Sequence, residues 1–377
     1  MNECNSNNIN VLCFCETWES GGIESFIANI AQNIHGADIR IDICMSELRS
    51  SVFTDRLKKI GIRFFELSGS QRKVCSNLRA FRKLINTYKY DVIHINICQG
   101  MGLQYANVAK NAGVKHVIVH SHNTELRKSK TVHLKRMLHK LYSGIYTSSA
   151  DELWASSKAA AYFMFPAAQI YNKGYTFIAD GIDINRFAYS NDKRKKAREK
   201  LNIGTETFVL GNVGRLCFQK NQSFILDIFA EFVKMQTDSI LLLIGEGEMK
   251  AALQQKARDL DIYDKVVFYG VSDQVEKLYS AMDAFVFPSL FEGLGIAAIE
   301  AQAAGLPTYC SEHIPKEAEV ADLLVRIPIA AGAKEWAEII EKNKDTGNIR
   351  TVNHTDKLAV FDIKAVSDFI RSRYLCS

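Results

Sequence analysis

The chain has 377 residues, 47% of them hydrophobic and 24% charged, with a formal net charge of +5 at pH 7. That length exceeds one ordinary domain and suits two of about 150 to 200 residues, each able to bury its own core. The composition excludes a disordered chain, the modest charge argues against nucleic acid as a partner, and no apolar run reaches the roughly 20 residues needed to span a bilayer. Met1 to Asn8 is polar rather than basic and then apolar, so a cytoplasmic protein is expected. The nine cysteines are scattered and form no Cys-x-x-Cys pair, and the nine histidines stand in no ligand spacing with them. Reduced thiols and no metal site are therefore expected.

From the amino end, Asn10 to Cys15 is a short apolar run, Trp18 to Glu24 a glycine-bearing turn, and Phe26, Ile27, Ile30, Ala31 and Ile34 recur at helical spacing. Strand, turn and helix are predicted. Further strands are predicted at Ile39 to Met45, Arg63 to Leu67, Asp91 to Asn96 and Val117 to His120, and helices at Phe53 to Ile60, Leu78 to Tyr88 and Gln99 to Gly113. This alternation predicts right-handed βαβ units on a parallel sheet, with ligands outside the carboxyl ends of the strands. Gly21, Gly22, His94, Asn96, Ser121 and His122 fall at or near such ends.

After about residue 175 the pattern restarts. Strands are predicted at Phe208 to Val213, Ile240 to Ile244, Val266 to Tyr269, Phe285 to Pro288 and Thr308 to Cys310, with helices at Ser223 to Met235, Glu248 to Leu260, Val275 to Met282 and Ile296 to Ala304. Two α/β domains are thus predicted, 1–174 and 175–360, with the boundary in Lys173 to Arg186. The final amphipathic stretch, Ile363 to Tyr374, is expected to cross back and complete the first domain as helix 361–377.

Two features of the second half carry chemistry. In Phe291 to Glu300, two glutamates eight positions apart flank a glycine-rich turn that follows a strand and opens a helix of small residues. Glycine lets the backbone approach a ligand closely, and helix-terminal amides can face an anion. Glu292 and Glu300 can then point above the strand ends, one for sugar hydroxyls and one for a ribose; a capping pair on an ordinary strand-turn-helix is the other reading. Upstream, Gly214-Arg215 and Lys220-Asn221 put two cations on one strand-to-helix loop, suited to a diphosphate whose charge grows as a glycosyl bond breaks. Solvated loop cations are the alternative.

Gly21-Gly22-Ile23-Glu24, Ser121-His122-Asn123, Asp180-Gly181-Ile182-Asp183, Gly214-Arg215 with Lys220-Asn221, Gly245-Glu246-Gly247, Val267-Phe268-Tyr269-Gly270, and Glu292 with Glu300 occur in this order over nearly the whole chain. Together they resemble the family 4 retaining glycosyltransferases. Ser121 to Thr124 and Glu300 to Ala303 resemble the branch that builds bacterial capsule and exopolysaccharide. The resemblance implies a GT-B fold, two facing Rossmann-like domains with parallel sheets, the first binding the acceptor and the second the nucleotide sugar. It implies that Arg215 and Lys220 bind the donor diphosphate, Glu292 the hydroxyls of the transferred sugar and Glu300 the ribose. The Gly293, Leu294, Gly295 and Ile296 amides would assist, His122 would lie beside the reacting sugar, and Gly21 and Gly22 near the diphosphate. Asn96 departs from the pattern, since relatives often carry a second histidine there.

What the resemblance implies as activity is transfer of a hexose, with retention, from a nucleotide sugar, expected to be a UDP-sugar, to a lipid-linked glycan intermediate. Neither cofactor nor metal is expected; the one Asp-x-Asp, Asp259 with Asp261, follows a helix rather than a strand end. Two rival readings are a sugar-nucleotide epimerase of the same fold and a non-catalytic partner of an active transferase. Lys128, Lys130, Lys135, Arg136, His139 and Lys140 surround Leu134, Met137, Leu138 and Leu141 at helical spacing, which suits either contact with anionic lipid at the inner face of the membrane or a solvated face on a packed helix. The basic run Lys193 to Lys196, with Arg198 and Lys200, reads as a surface helix.

Overall fold

A computed structural model describes residues 8–126, 131–344, 350 and 355–376. The chain divides into two compact units, Met1–Gly181 with Phe361–Ser377, and Ile182–Val360. In the first, the order is β1 (Ile9–Trp18), α1 (Gly22–Ile34), β2 (Ile39–Leu48), α2 (Thr54–Lys59), β3 (Phe64–Glu66), α3 (Val74–Tyr88), β4 (Val92–Ile97), α4 (Leu103–Asn111), β5 (His116–Ser121), α5 (Val132–Tyr146), β6 (Glu152–Ala155), α6 (Lys158–Met164), α7 (Ala167–Lys173) and β7 (Thr176–Phe177). The second has α8 (Ile184–Phe187), α9 (Asn191–Lys200), β8 (Phe208–Val213), α10 (Gln222–Met235), β9 (Ser239–Ile244), α11 (Lys250–Asp259), β10 (Val266–Gly270), α12 (Val275–Ala281), β11 (Ala284–Phe287), α13 (Ile296–Ala303), β12 (Thr308–Cys310), β13 (Leu324–Arg326), α14 (Gly332–Lys342) and α15 (Asp356–Ala359). The last helix, α16 (Ile363–Leu375), belongs to the first unit.

Both sheets are parallel, with orders β3-β2-β1-β4-β5-β6-β7 and β10-β9-β8-β11-β12-β13. Each unit is therefore a doubly wound, Rossmann-like layer structure. The strand order reverses between β1 and β4 in one sheet and between β8 and β11 in the other, and at such a point adjacent loops leave in opposite directions and open a crevice. Helices cover both faces, so the central strands carry near-continuous apolar runs. In the first unit Leu12, Phe14, Ile93, Ile95, Val117 and Val119 pack with Phe81 and Tyr105; in the second, Leu210, Leu241 and Leu243 pack with Phe229, Phe232 and Trp336. Each such side chain contributes about 1.5–3 kcal/mol by leaving water.

Local chemistry sets the helix ends. Ser157 accepts from the Ala160 amide at 3.1 Å to start α6, and Asp362 accepts from Lys364 at 2.8 Å to start α16. Helix α9 is less solvated than its charge run suggests. Arg194 and Arg198 turn inward onto the two carboxylate oxygens of Asp283, each at 2.6 Å, and Arg198 also donates to the carbonyls of Gly204, Thr205 and Thr207. Asp283 joins α12 to β11, so the basic run fastens α9 to the sheet rather than coating a free surface. Among the described residues no helix is long and apolar enough to cross a membrane. Cys13, Cys15, Cys44, Cys217 and Cys310 are buried free thiols; Cys4 lies outside the described residues.

Candidate functional site at the strand carboxyl ends

In the second unit, the loop after β8 and the turn after β11 meet at the switch point. Hydrogen bonds stitch them together: Leu290 N donates to Gln219 O at 2.8 Å, Gln219 Nε2 to Phe291 O at 2.8 Å, and Asn221 Nδ2 to Pro288 O at 3.2 Å. The stitching brings Lys220 Nζ to 2.7 Å from Glu292 Oε1, with the ammonium 5.0 Å from the centre of the Phe287 ring. Glu292 is only 5% exposed. A carboxylate and an ammonium at that depth orient each other, because each would be costly to bury alone.

Arg215 sits on the same loop with Nε 3.6 Å from Glu248 Oε2, both side chains exposed, and its carbonyl is fixed by Gln222 Nε2 at 2.9 Å. The glycine-rich segment after β9 lies directly against this loop. A Cβ at Gly245 would stand 2.1 Å from the Gly214 carbonyl oxygen, and one at Gly247 2.2 Å from that of Leu216. Gly293 and Leu294 are buried, and Gly295 takes φ of +91° to enter α13, a conformation that strains an L side chain. Gly295 has no side chain with which to cap α13, and in the first turn the Ala298 amide donates back to the Gly295 carbonyl at 2.9 Å.

Glu300 lies one turn into α13 and accepts from Tyr279 Oη at 2.8 Å. Desolvation lifts its carboxyl to about 7, opposed by the Tyr279 hydrogen bond and by Arg186 and Lys220, and assisted by Glu276. Arg186 Nη2 is in turn held by Glu276 at 3.0 Å and the Asp273 carbonyl at 2.8 Å. Tyr279, Glu248 and Gln222 contact these candidate residues, and sequence reading did not single them out. Tyr279 sits in an apolar helix where spacing marks it as core.

Gly21, Gly22 and His122 belong to the first unit. Gly21 precedes α1, with Glu24 folded back so that a Cβ on Gly21 would stand 2.5 Å from its Oε2. His122 follows β5; its Nε2 is 2.9 Å from Asn96 Oδ1 and its Nδ1 3.7 Å from Asp180 Oδ1. Beneath it His120 is fully buried inside the strand, as its position there predicts. Glu16, near the carboxyl end of β1, is raised above the usual carboxylate range by burial, partly offset by Gln99. Among the described residues, no group of three or more His, Cys, Asp or Glu side chains is arranged to hold a metal ion.

On α5, Leu134, Met137, Leu141 and Ile145 are more than half exposed on one face, beside exposed Lys135, Arg136 and Lys140. His139 instead turns inward, between the Gly100 amide and the Phe163 carbonyl, each 2.8 Å away. Lys128 and Lys130 lie outside the described residues.

Comparison with known proteins gives the family and the fold. Residues 20–186 match the model described as Glycosyltransferase Family 4, and residues 193–351 the model described as Glycosyl transferases group 1. A Bacillus subtilis protein designated glycosyltransferase EpsF is 25% identical over 91% of this chain and 90% of its own. The Escherichia coli UDP-Gal:alpha-D-GlcNAc-diphosphoundecaprenol alpha-1,3-galactosyltransferase is 27% identical over 63% of this chain and 62% of its own. Among solved structures, Anabaena Alr3699/HepE in complex with UDP and glucose superposes with a TM-score of 0.79 at 20% identity, covering 98% of this chain and all of that one. The fold of this chain is of the GT-B class.

Proposed function

The chain belongs to the family 4 glycosyltransferases, and from that premise we propose that it moves a hexose from a UDP-sugar to a lipid-linked glycan intermediate of capsular or exopolysaccharide synthesis. The observation that carries this reading is the Lys220–Glu292 pair at the switch point, half-buried ammonium on buried carboxylate, beside the start of α13. A sugar-recognising carboxylate and a phosphate-neutralising ammonium are held there within one hydrogen bond. Arg215 and Lys220 take the donor diphosphate, the Gly293 to Ile296 backbone assists, Glu292 accepts from sugar hydroxyls, and Glu300 accepts from the ribose. In this reading Gly21, Gly22 and His122 serve the same reaction from the first unit, which takes the acceptor. HepE, with UDP and glucose bound, and the galactosyltransferase relative, named for UDP-Gal and a diphosphoundecaprenol-linked sugar, support the donor and acceptor classes.

The reaction we infer is substitution on one face of the sugar. The bond from C1 to the β-phosphate oxygen breaks and a bond from C1 to the acceptor oxygen forms on the same side, so configuration is retained. The departing phosphate oxygen takes the acceptor hydroxyl's proton. Arg215 and Lys220 offset the negative charge that collects on that phosphate, in the place a divalent cation takes elsewhere. The exposed apolar and cationic face of α5 suits contact with an anionic membrane surface, where a lipid-linked acceptor resides.

The test is a thermal-shift and nucleotide-release panel with UDP-, GDP-, TDP- and ADP-sugars, followed by transfer to polyprenyl-diphosphate sugars. A UDP-sugar is expected to stabilise the protein and release UDP. Ala at Glu292 or Lys220 is expected to lower turnover by about 100-fold or more in a folded protein, as for other groups that stabilise developing charge. Folded variants with full activity would sink the site assignment, and silence across the panel would favour a non-catalytic partner.

A further inference from the structure

Three buried imidazoles line the carboxyl half of the central strands in the first unit. His94 and His120 stack with ring centres 5.5 Å apart, His120 and His122 lie at 3.9 Å, and Phe26 of α1 packs against all three. Burial pushes His94 down to about 3 and His120 well below the ordinary imidazole value. Neither nitrogen of His120 has a hydrogen-bond partner among the described residues, and His94 has one, between Nδ1 and Tyr374 Oη at 2.7 Å. His122 alone of the three faces an oxygen acceptor from each nitrogen.

The arrangement fixes where its proton sits. Asn96, fully buried in β4, turns Nδ2 toward the His94 carbonyl at 3.4 Å. A carbonyl only accepts, so Oδ1 is the atom left facing His122, at 2.9 Å from Nε2. That oxygen also only accepts, so the shared proton is on Nε2. The other nitrogen, Nδ1, then faces Asp180 Oδ1 at 3.7 Å, a buried carboxylate oxygen with no hydrogen-bond partner among the described residues.

We propose that Asn96 and Asp180 are positioning residues for His122: Asn96 holds the proton on Nε2 and the ring in one orientation, and Asp180, which can only accept, pairs with Nδ1 when that nitrogen takes up a second proton. The His122 side chain is 5% exposed. It therefore acts through a fixed edge and a fixed tautomer, and any proton it exchanges passes at Nδ1. The connection to turnover rests on the transferase reading above; the tautomer does not.

The experiment is long-range 1H–15N NMR on ligand-free protein labelled with 15N-histidine, with His122→Gln used to assign the signal, alongside steady-state transfer. Wild type is expected to carry the His122 proton on Nε2, and Asn96→Leu to lose that preference. Asp180→Asn, which keeps the shape and removes the charge, is expected to keep the Nε2 proton. Both variants are expected to lose about tenfold or more in kcat with donor KM nearly unchanged, because orientation rather than binding is disturbed. A proton on Nδ1 in place of Nε2 in wild type would overturn the proposal, as would full turnover in Asp180→Asn. If Asn96→Leu does not fold, those two measurements still decide. A wild-type protein inert toward every donor, yet carrying the Nε2 proton, would count against the transferase reading alone.

Discussion

Glu300, proposed above to take the ribose, sits where burial costs the fold stability. Its carboxyl is lifted from about 4.5 to about 7, so the folded protein holds the proton more tightly than the unfolded chain. The sign follows from linkage: this stability is fully present below pH 4.5 and is lost as pH rises through 7. At about 1.4 kcal/mol per unit, the full loss is roughly 3–4 kcal/mol. Glu300→Gln, which cannot ionise, is expected to match wild type near pH 4.5 and to exceed it increasingly up to pH 8 in urea unfolding. Equal pH profiles for the two proteins would remove the assignment. Ribose hydroxyls are donors and prefer the ionised acceptor, so UDP should bind wild type more tightly as pH rises through the same window. Sequence made both glutamates visible because a glycine turn after an apolar strand places them at a strand end. It could not make Tyr279 visible, because the contact to Glu300 depends on α12 lying beside α13, a packing relation between segments 21 positions apart.

At the scale of elements, the loop after β8 keeps its shape because another backbone lies against it. Gly247 leaves no room for a Cβ: the nearest atoms would be the Leu216 carbonyl oxygen, carbon and nitrogen at 2.2, 2.7 and 2.8 Å. Backbone cannot rotate away as a side-chain tip can. Gly247→Ala is therefore expected to push the Arg215–Leu216 segment outward while leaving the sheet intact, weakening UDP binding by about tenfold or more. Calorimetric binding together with far-UV circular dichroism would check this, and unchanged affinity would show that the loop is not seated as described. The long central strands and their helices were legible because burial on both faces forces apolar runs and helical spacing. Strands β6, β7 and β13, of two to four residues, carry too little periodicity to stand out. Strand β1 outruns its apolar stretch because Thr17 and Trp18 continue the ladder beside Glu47 and Leu48 even though the sequence there turns polar. Helix α9 misleads in the opposite sense: its charges predict solvent, but Asp283 and a row of carbonyls draw two arginines inward.

At the scale of the molecule, the first unit is discontinuous in sequence, since α16 returns to it from beyond the second. Ile370 and Tyr374 have no exposed surface, and Ile363 and Val366 lie against Gly181, where a Cβ would stand 2.7 Å from Ile363 Cδ1. Polar contacts fix the register: Tyr374 Oη meets His94 Nδ1, Arg373 Nη2 meets Glu152 Oε1 at 2.6 Å, and Arg371 pairs with Asp38. Four buried side chains at about 1.5–3 kcal/mol each sum to roughly 6–12 kcal/mol, as large as the whole stability of an ordinary domain at about 5–15 kcal/mol. The first unit should therefore depend on a helix that follows the whole second unit in sequence. A chain lacking 361–377 is expected to keep a protease-resistant Ile182–Val360 fragment while the first 181 residues become cleavable and bind a hydrophobic dye. Supplying 361–377 as a separate peptide should restore protection in proportion to its concentration, because the helix then acts as a ligand of the folded unit. Full protection of the first 181 residues without the peptide would mean that α16 only decorates a unit already complete. Its buried tyrosine bonded to a histidine in the middle of the sheet argues that the unit closes only when the helix arrives.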